Sequence, residues 1–213
     1  MTPDAIITQA RQRYNAVGDS FFGDTELYNL IWQAEQDLAL RTFCLQDTQS
    51  TTTVASQHEY ARPTNAISVK RVTYNGRSLA PIDFQTDDAL TDYDAASSNT
   101  GEPMYYYEWE SSIFLRPTPN AAQTLKVWFY ARPQSVTTGT TLELAEEYHL
   151  MLCDYILQHM FGKDGKNDMA TYHMNQWEAS VGKIKQWERR KRRSNQPAAV
   201  KNIDALADTL EVL

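Results

Sequence analysis

Two hydrophobic periods alternate along this chain, and the switches between them divide it. Over 24–43 the apolar residues Leu27, Leu30, Ile31, Ala34 and Leu38 stand at i, i+3, i+4, i+7 and i+11, which is one face of a helix. A shorter helix is predicted ahead of it. Thr2 supplies a cap, Pro3 suits the first helical position and Asp4 complements the positive end of the helix dipole. This first helix is expected to end near Val17 with Gly18 as its stop, and Asp24 is expected to cap the second.

At about residue 46 the helical period is lost. QDTQSTTTVASQHEY is rich in Thr and Ser and reads as loop and then strand. In AISVKRVTYNGRSLAPI, Asn75-Gly76 predicts a two-residue hairpin, because a type I′ turn needs positive φ at both centres. Ile67 and Val69 alternate in one phase, Val72 and Tyr74 in the other, so a bulge is expected near Lys70-Arg71. QTDDALTDYDAASSNT reads as a long acidic loop with a short helical turn. In GEPMYYYEWESSIFLRPTPN, a strand puts Tyr105, Tyr107 and Trp109 on one face and Met104, Tyr106 and Glu108 on the other. Glu110-Ser111-Ser112 turns the chain, and Ile113, Phe114 and Leu115 run back until Pro117 and Pro119 stop them. TLKVWFYA alternates Leu125, Val127 and Phe129 against Lys126, Trp128 and Tyr130.

The helical period returns at about 143, with Tyr148, Leu152, Tyr155, Ile156 and His159 on one face. Gly162 and Gly165 bracket a turn, and Asn167 caps a long helix with the stripe Ala170, Met174, Trp177, Val181 and Ile184. Pro197 sets off a tail whose Ile203, Leu206 and Leu210 form a narrow apolar stripe. The order predicts an α+β protein. Helices 1–45 and 143–193 are expected to meet as an antiparallel bundle. An antiparallel β lobe, 46–142, is inserted between them, and 194–213 extends as a tail.

Charge adds an asymmetry. KIKQWERRKRR, residues 183–193, carries seven basic residues and one acid, +6, which leaves −13 on the rest of a chain of net charge −7. One end is therefore expected to have its own electrostatic partner. The run reads as a solvated helix end, a contact to an acidic protein surface or a contact to nucleic acid. The tail stripe would dock on the chain's own helices, dock on another chain, or stay unfolded. Cys44 and Cys153, both in helix-like apolar patterns, are expected as reduced, buried thiols of a protein made in a cytoplasm. No run of eighteen apolar residues occurs, and MTPDAIITQARQRYN has no basic start followed by an apolar block, so neither a membrane span nor a signal peptide is expected.

Catalytic signatures are scarce. There is no phosphate-binding glycine loop, Cys-x-x-Cys, His-Glu-x-x-His or Gly-x-Ser-x-Gly, so no cofactor or metal is expected. His58, His149, His159 and His173 read as structural or solvated. Asp87, Asp88, Asp92 and Asp94 lack the alternation of a calcium loop and read as a solvated acidic segment. Glu108 and Glu110 share a strand face beside aromatic residues, the composition of a glycosidase pair, although carboxylates on an outer hairpin face are common.

The order of features resembles the head-to-tail adaptor proteins of podovirus-type tailed bacteriophages, the group that includes tail tubular protein A of T7-like phages. The resemblance rests on NLIWQAEQDLALRTF, on EYARPTNAISVKRVTYNGRSLAPID with its Asn-Gly hairpin, on Gly101-x-Pro103 with its tyrosine-rich strand, on IFLRPTP, on YARP at 130–133, and on a final helical pair with a basic end. It spans roughly residues 20 to 190. It implies a virion structural protein rather than an enzyme, assembled in the host cytoplasm and placed in the virion neck. There a ring of such subunits, a dodecamer, joins the portal protein to a downstream tail or nozzle protein and surrounds the channel for DNA packaging and ejection. Carried onto this sequence, Arg189, Arg190, Lys191, Arg192, Arg193, Ile203, Leu206 and Leu210 become candidate portal contacts. Tyr106 and Glu108 become candidate contacts to a neighbouring subunit or a tail protein. A glycan hydrolase built on Glu108 and Glu110, and a nucleic-acid-binding regulator using the basic helix end, are the alternatives.

Overall fold

The structure is a computed structural model, and it describes residues 1–16, 21–90 and 99–194. Helix α1 spans Pro3–Tyr14, and the Oγ1 of Thr2 accepts the Ala5 N–H at 3.2 Å, as the opening triplet predicts. The helix stops earlier than Val17. Asn15 takes φ 63 and returns its N–H to the carbonyls of Arg11 and Gln12; asparagine tolerates this left-handed turn. Gly18 lies outside the described residues. Helix α2 spans Asp24–Thr42 with Gly23 at the cap, so Asp24 is the first helical residue rather than the cap itself. Its end is unusual: Phe43, not a glycine, adopts φ 54.

The Thr-rich segment is a strand from its first residue, not a loop. β1 is Gln46–Thr52, and every residue in it is exposed. It pairs antiparallel with β10, Thr124–Ala131, whose inward residues Leu125, Val127, Phe129 and Ala131 alternate as predicted. β10 pairs in turn with β3, Ala66–Tyr74. The register slips between Trp128 and Phe129, which places the bulge at Lys70 and reconciles the two hydrophobic phases. Asn75 and Gly76, at φ 46 and 79, turn the chain into β4, Arg77–Ser78. A second sheet runs β2 (Glu59–Ala61), β8 (Ser112–Arg116), β7 (Tyr105–Trp109) and β5 (Ala80–Pro81). Pairing is not wholly antiparallel: β5 lies parallel to β7, and β6 (Thr100–Gly101) lies parallel to β9 (Thr118–Pro119). One apolar cluster joins the two larger sheets, with Val72, Tyr74, Leu125, Val127 and Phe129 meeting Tyr60, Tyr106, Ile113 and Leu115.

The helical period resumes later than expected. Residues 146–148 form a 3₁₀ turn, and α4 is His149–Lys163. α5 runs from Asn167 to Ser194. A second apolar cluster gathers Ile6 and Ala10 of α1, Leu27, Ile31 and Leu38 of α2, Leu152 and Ile156 of α4, and Trp177, Val181 and Ile184 of α5. Each fully buried Leu or Ile side chain among them contributes on the order of 1.5–3 kcal/mol. Val136, Leu142 and Leu144 join this cluster, so the segment leaving β10 packs with the helices. Met174 and His159, both predicted on buried stripes, are exposed.

Two buried charges stand out. Asp87 sits in the predicted short helix, α3 (Phe84–Leu90), yet it is buried, not solvated. Both its carboxylate oxygens accept from Arg116 Nε, at 2.8 and 3.0 Å. This pair ties α3 to β8. Removing one partner of a buried pair strands the other charge. Asp87→Ala is expected to lower unfolding free energy by about 3–5 kcal/mol, read as a lower urea midpoint at unchanged slope.

Glu35, in α2, is 1% exposed and accepts a hydrogen bond from the Leu144 N–H, while its Oε1 has no partner among the described residues. Burial, with nearby Glu143 adding to it, pushes its carboxyl up from 4.5 to about 7. A carboxyl raised on folding holds its proton more tightly in the folded state, so its ionisation opposes folding. Its cost is absent below about pH 4.5 and complete above about pH 7. Glu35→Gln is expected to gain on the parent across that window, by on the order of 3 kcal/mol at most. Urea titrations of both proteins at pH 5 and pH 8 measure it.

Candidate functional site

The end of α5 is where the predicted portal-contact cations lie, and the structure sorts them. Arg192 turns inward. Its Nε donates to the Glu188 carbonyl at 3.2 Å and its second nitrogen to the Thr42 carbonyl at 3.1 Å. Its guanidinium also lies 6.0 Å from the Phe43 ring and 5.8 Å from the Tyr130 ring. One cation thus satisfies the last carbonyl of α2 and lies near the rings of Phe43 and Tyr130. Lys191 stands 3.8 Å over the Trp187 ring and donates to Glu188 at 3.1 Å. Glu188, the run's only acid, is itself buried and also accepts from the Tyr148 hydroxyl at 3.0 Å. Burial and this carboxylate push the Tyr148 phenol up from its ordinary value. Arg189 and Arg190 face solvent. Arg193 has no described side chain, and Ile203, Leu206 and Leu210 lie outside the described residues.

The tyrosine-rich strand also divides, with its faces the reverse of the outward assignment made for Tyr106. Tyr106 is 5% exposed and belongs to the core shared by the two sheets. Tyr107 stacks on Phe114 at 4.8 Å and lies under α3, where Phe84 approaches it at 6.0 Å. The residues that reach solvent are Met104, Tyr105 and Trp109, with Phe84 set 4.8 Å from Trp109. Tyr105 and Trp109, which share a strand face, form with Phe84 an apolar, aromatic patch on one side of the hairpin, while Met104 lies on the other face. Glu108 is exposed and paired with Arg62 at 3.1 Å; desolvation pushes its carboxyl up while Arg62 opposes the shift. Glu110 lies beyond the strand, in the turn, at φ 50. The glycosidase arrangement is therefore not assembled. Glu108 is held by a cation, and the rings expected beside it face the other way or fill the core.

Elsewhere the titratable groups serve the fold. His149 is buried, with one ring nitrogen 2.9 Å from the Met1 amino group and the other 2.9 Å from the Leu144 carbonyl. His173 pairs with Asp154 at 3.0 Å. Among the described residues, no three His, Cys, Asp or Glu side chains are grouped to hold a metal ion. Cys153 is buried in α4, whereas Cys44 follows α2 and is only partly buried; both are free thiols. No helix among the described residues is long and apolar enough to cross a membrane.

Sequence reasoning missed the outer face of β10. Lys126 and Arg71 flank the Trp128 ring at 4.9 and 5.2 Å, and Lys70 lies 5.8 Å from the Tyr130 ring. The signal was present: the outward residues of TLKVWFYA are a lysine and two aromatics, and Lys70-Arg71 marks the facing bulge.

An α+β subunit with an aromatic patch at one place and a cationic helix end at another has the surfaces of an interaction protein. The SU10 adaptor protein family model matches residues 1–201, and the chain belongs to that family. Membership supports a structural role as a phage adaptor in the virion, with portal and tail neighbours in general terms. No curated protein matches the chain.

The two kinds of cation in the basic run separate by mutation. Arg192→Ala is expected to cost about 1–3 kcal/mol of stability through the lost carbonyl bonds and ring contacts. Arg189→Ala and Arg190→Ala are expected to stay within about 0.5 kcal/mol of the parent. Chemical denaturation of the three single variants tests this.

Proposed function

We propose that this protein is a head-to-tail adaptor of the podovirus type, forming a ring between portal and tail around the DNA channel. The observation that carries the reading is the adaptor-family match across residues 1–201. In this reading the subunits close as a dodecamer through head-to-tail contacts, each burying two unlike faces. The helices of both chain ends act as an antiparallel bundle that faces the portal. Solvent-facing Arg189 and Arg190, together with Arg193 and the tail stripe Ile203, Leu206 and Leu210, make the portal contact. Arg192 supports that surface from within, and the exposed Lys191, paired with Glu188, flanks it. The patch of Tyr105, Trp109 and Phe84, or Glu108 on the opposite strand face, meets a neighbouring subunit or the tail protein.

Electrostatics supports a conduit rather than a DNA reader. Outside the basic run the chain carries −13, and an acidic wall repels phosphate and leaves DNA free to slide.

Mixing the purified chain with its cognate portal tests the reading by native mass spectrometry. A discrete complex of many adaptor copies is expected. Arg189→Glu combined with Arg190→Glu, and separately a stop after Arg193, are expected to abolish that complex while leaving the circular dichroism spectrum unchanged. Absence of any portal complex with the parent protein overturns the proposal.

A further inference from the structure

A trough begins where the last helix ends. One cavity of about 470 Å³ is lined by Gln46, Lys70, Tyr130 and Arg192, among others. A second, of about 380 Å³, is lined by Gln46, Lys70, Arg71 and Trp128, among others. The two share Gln46 and Lys70, so they run on from each other, from the α5 end to the outer face of β10. The walls are cationic and aromatic. Lys70, Arg71 and Arg192 lie against the Tyr130 and Trp128 rings, and Lys126 stands on the far side of Trp128. Asp47 and Glu188 also line it, and Glu188 is already engaged by Lys191 and Tyr148.

Residues 195–213 continue from this spot. Arg192 stands 5.8 Å from the Tyr130 ring, so the chain leaves α5 at the trough's mouth. Its next 19 residues hold Ile203, Leu206 and Leu210 together with Asp204, Asp208 and Glu211, against a single Lys201. That is acidic and apolar chemistry for a basic and aromatic trough. Reach is ample: ten residues from Ser194 to Asp204 span up to roughly 33 Å, whereas Tyr130 to Lys126 is about 13 Å along a strand.

We propose that in the unassembled subunit residues 203–213 dock in cis along this trough. Their carboxylates then meet Lys70, Arg71 and Lys126, and their apolar stripe meets Trp128 and Tyr130. Tethering places the segment at an effective concentration of order millimolar, so even a weak site fills. The contact covers the apolar stripe until a portal competes for it. That regulatory consequence rests on the portal role proposed above; the contact itself does not.

Carbodiimide crosslinking of the full chain at low concentration, followed by peptide mass spectrometry, tests it. Crosslinks from Asp204, Asp208 or Glu211 to Lys70 or Lys126 within a monomer are expected. They should vanish in Lys70→Glu/Arg71→Glu/Lys126→Glu. A tail changed by Asp204→Lys/Asp208→Lys/Glu211→Lys should bring crosslinks back in that background, now from the new trough carboxylates. Tail crosslinks to Lys183 or Lys185 instead, crosslinks only between chains, or none at all would overturn the proposal. So would an oligonucleotide that shields Lys70 and Lys126 from acetylation while the tail leaves both reactive. Failure of the parent protein to bind portal, with the cis crosslinks present, would refute the adaptor reading and leave this contact standing.

Discussion

The contact between Arg192 and the end of α2 is the joint on which the architecture turns. Helix α2 has to hand the chain to β1 within four residues, and it does so through Phe43 at φ 54 without a glycine. A bulky residue in the left-handed region carries strain of order 1–3 kcal/mol and persists only where its surroundings hold it. Here they do. The Phe43 ring lies 4.9 Å from Tyr130 in β10, and the guanidinium of Arg192 lies near both rings while binding the Thr42 carbonyl. Residues 42, 130 and 192 belong to the first helices, the sheet and the last helix. One side chain of α5 thereby touches both the end of α2 and strand β10.

Much of the fold was legible because local chemistry dictated it. The Thr2-Pro3 start, the Asn75-Gly76 turn, the bulge at Lys70 and the alternation of β10 each follow from a rule that acts over a few residues. What failed was of the other kind. The Thr-rich strand β1 buries none of its side chains, so no hydrophobic period marks it; its pairing with β10 makes it a strand. Asp87 looked like one acid among several, and only Arg116, brought in from a different strand, makes it a buried anchor. Met174 matched the helical stripe by spacing yet is exposed, although Ala170 and Trp177 on either side of it pack on the core.

The candidate site was half legible. The sign of the α5 end could be counted directly, whereas the division of its cations into inward and outward sets could not. That division depends on a carbonyl 150 residues away in sequence and on a buried glutamate. The tyrosine-rich strand misled for a related reason. Period-two alternation says that two faces differ but not which is outward. Three aromatic residues in succession leave both faces equally apolar, and the choice falls to what covers each face. The core shared with Val72, Leu125 and Val127 of the other sheet claims Tyr106, while α3 claims Tyr107 and leaves Trp109 exposed.

These placements bear on how an adaptor subunit can be both stable and available. A surface that must wait for a partner cannot depend on that partner for its own order. Lys191 and Arg192 have partners inside the subunit, so the helix end is in place before anything binds it. In the proposed role, Arg189 and Arg190 project from a helix end already held in place and lose less freedom on contact, which favours binding. The same logic applies at the hairpin. Tyr106 and Tyr107 are spent on the core and on α3, and the outward Tyr105 and Trp109 stand on a backbone already held from both sides. In each case the residue next in sequence to an outward-facing one is what holds that surface in position.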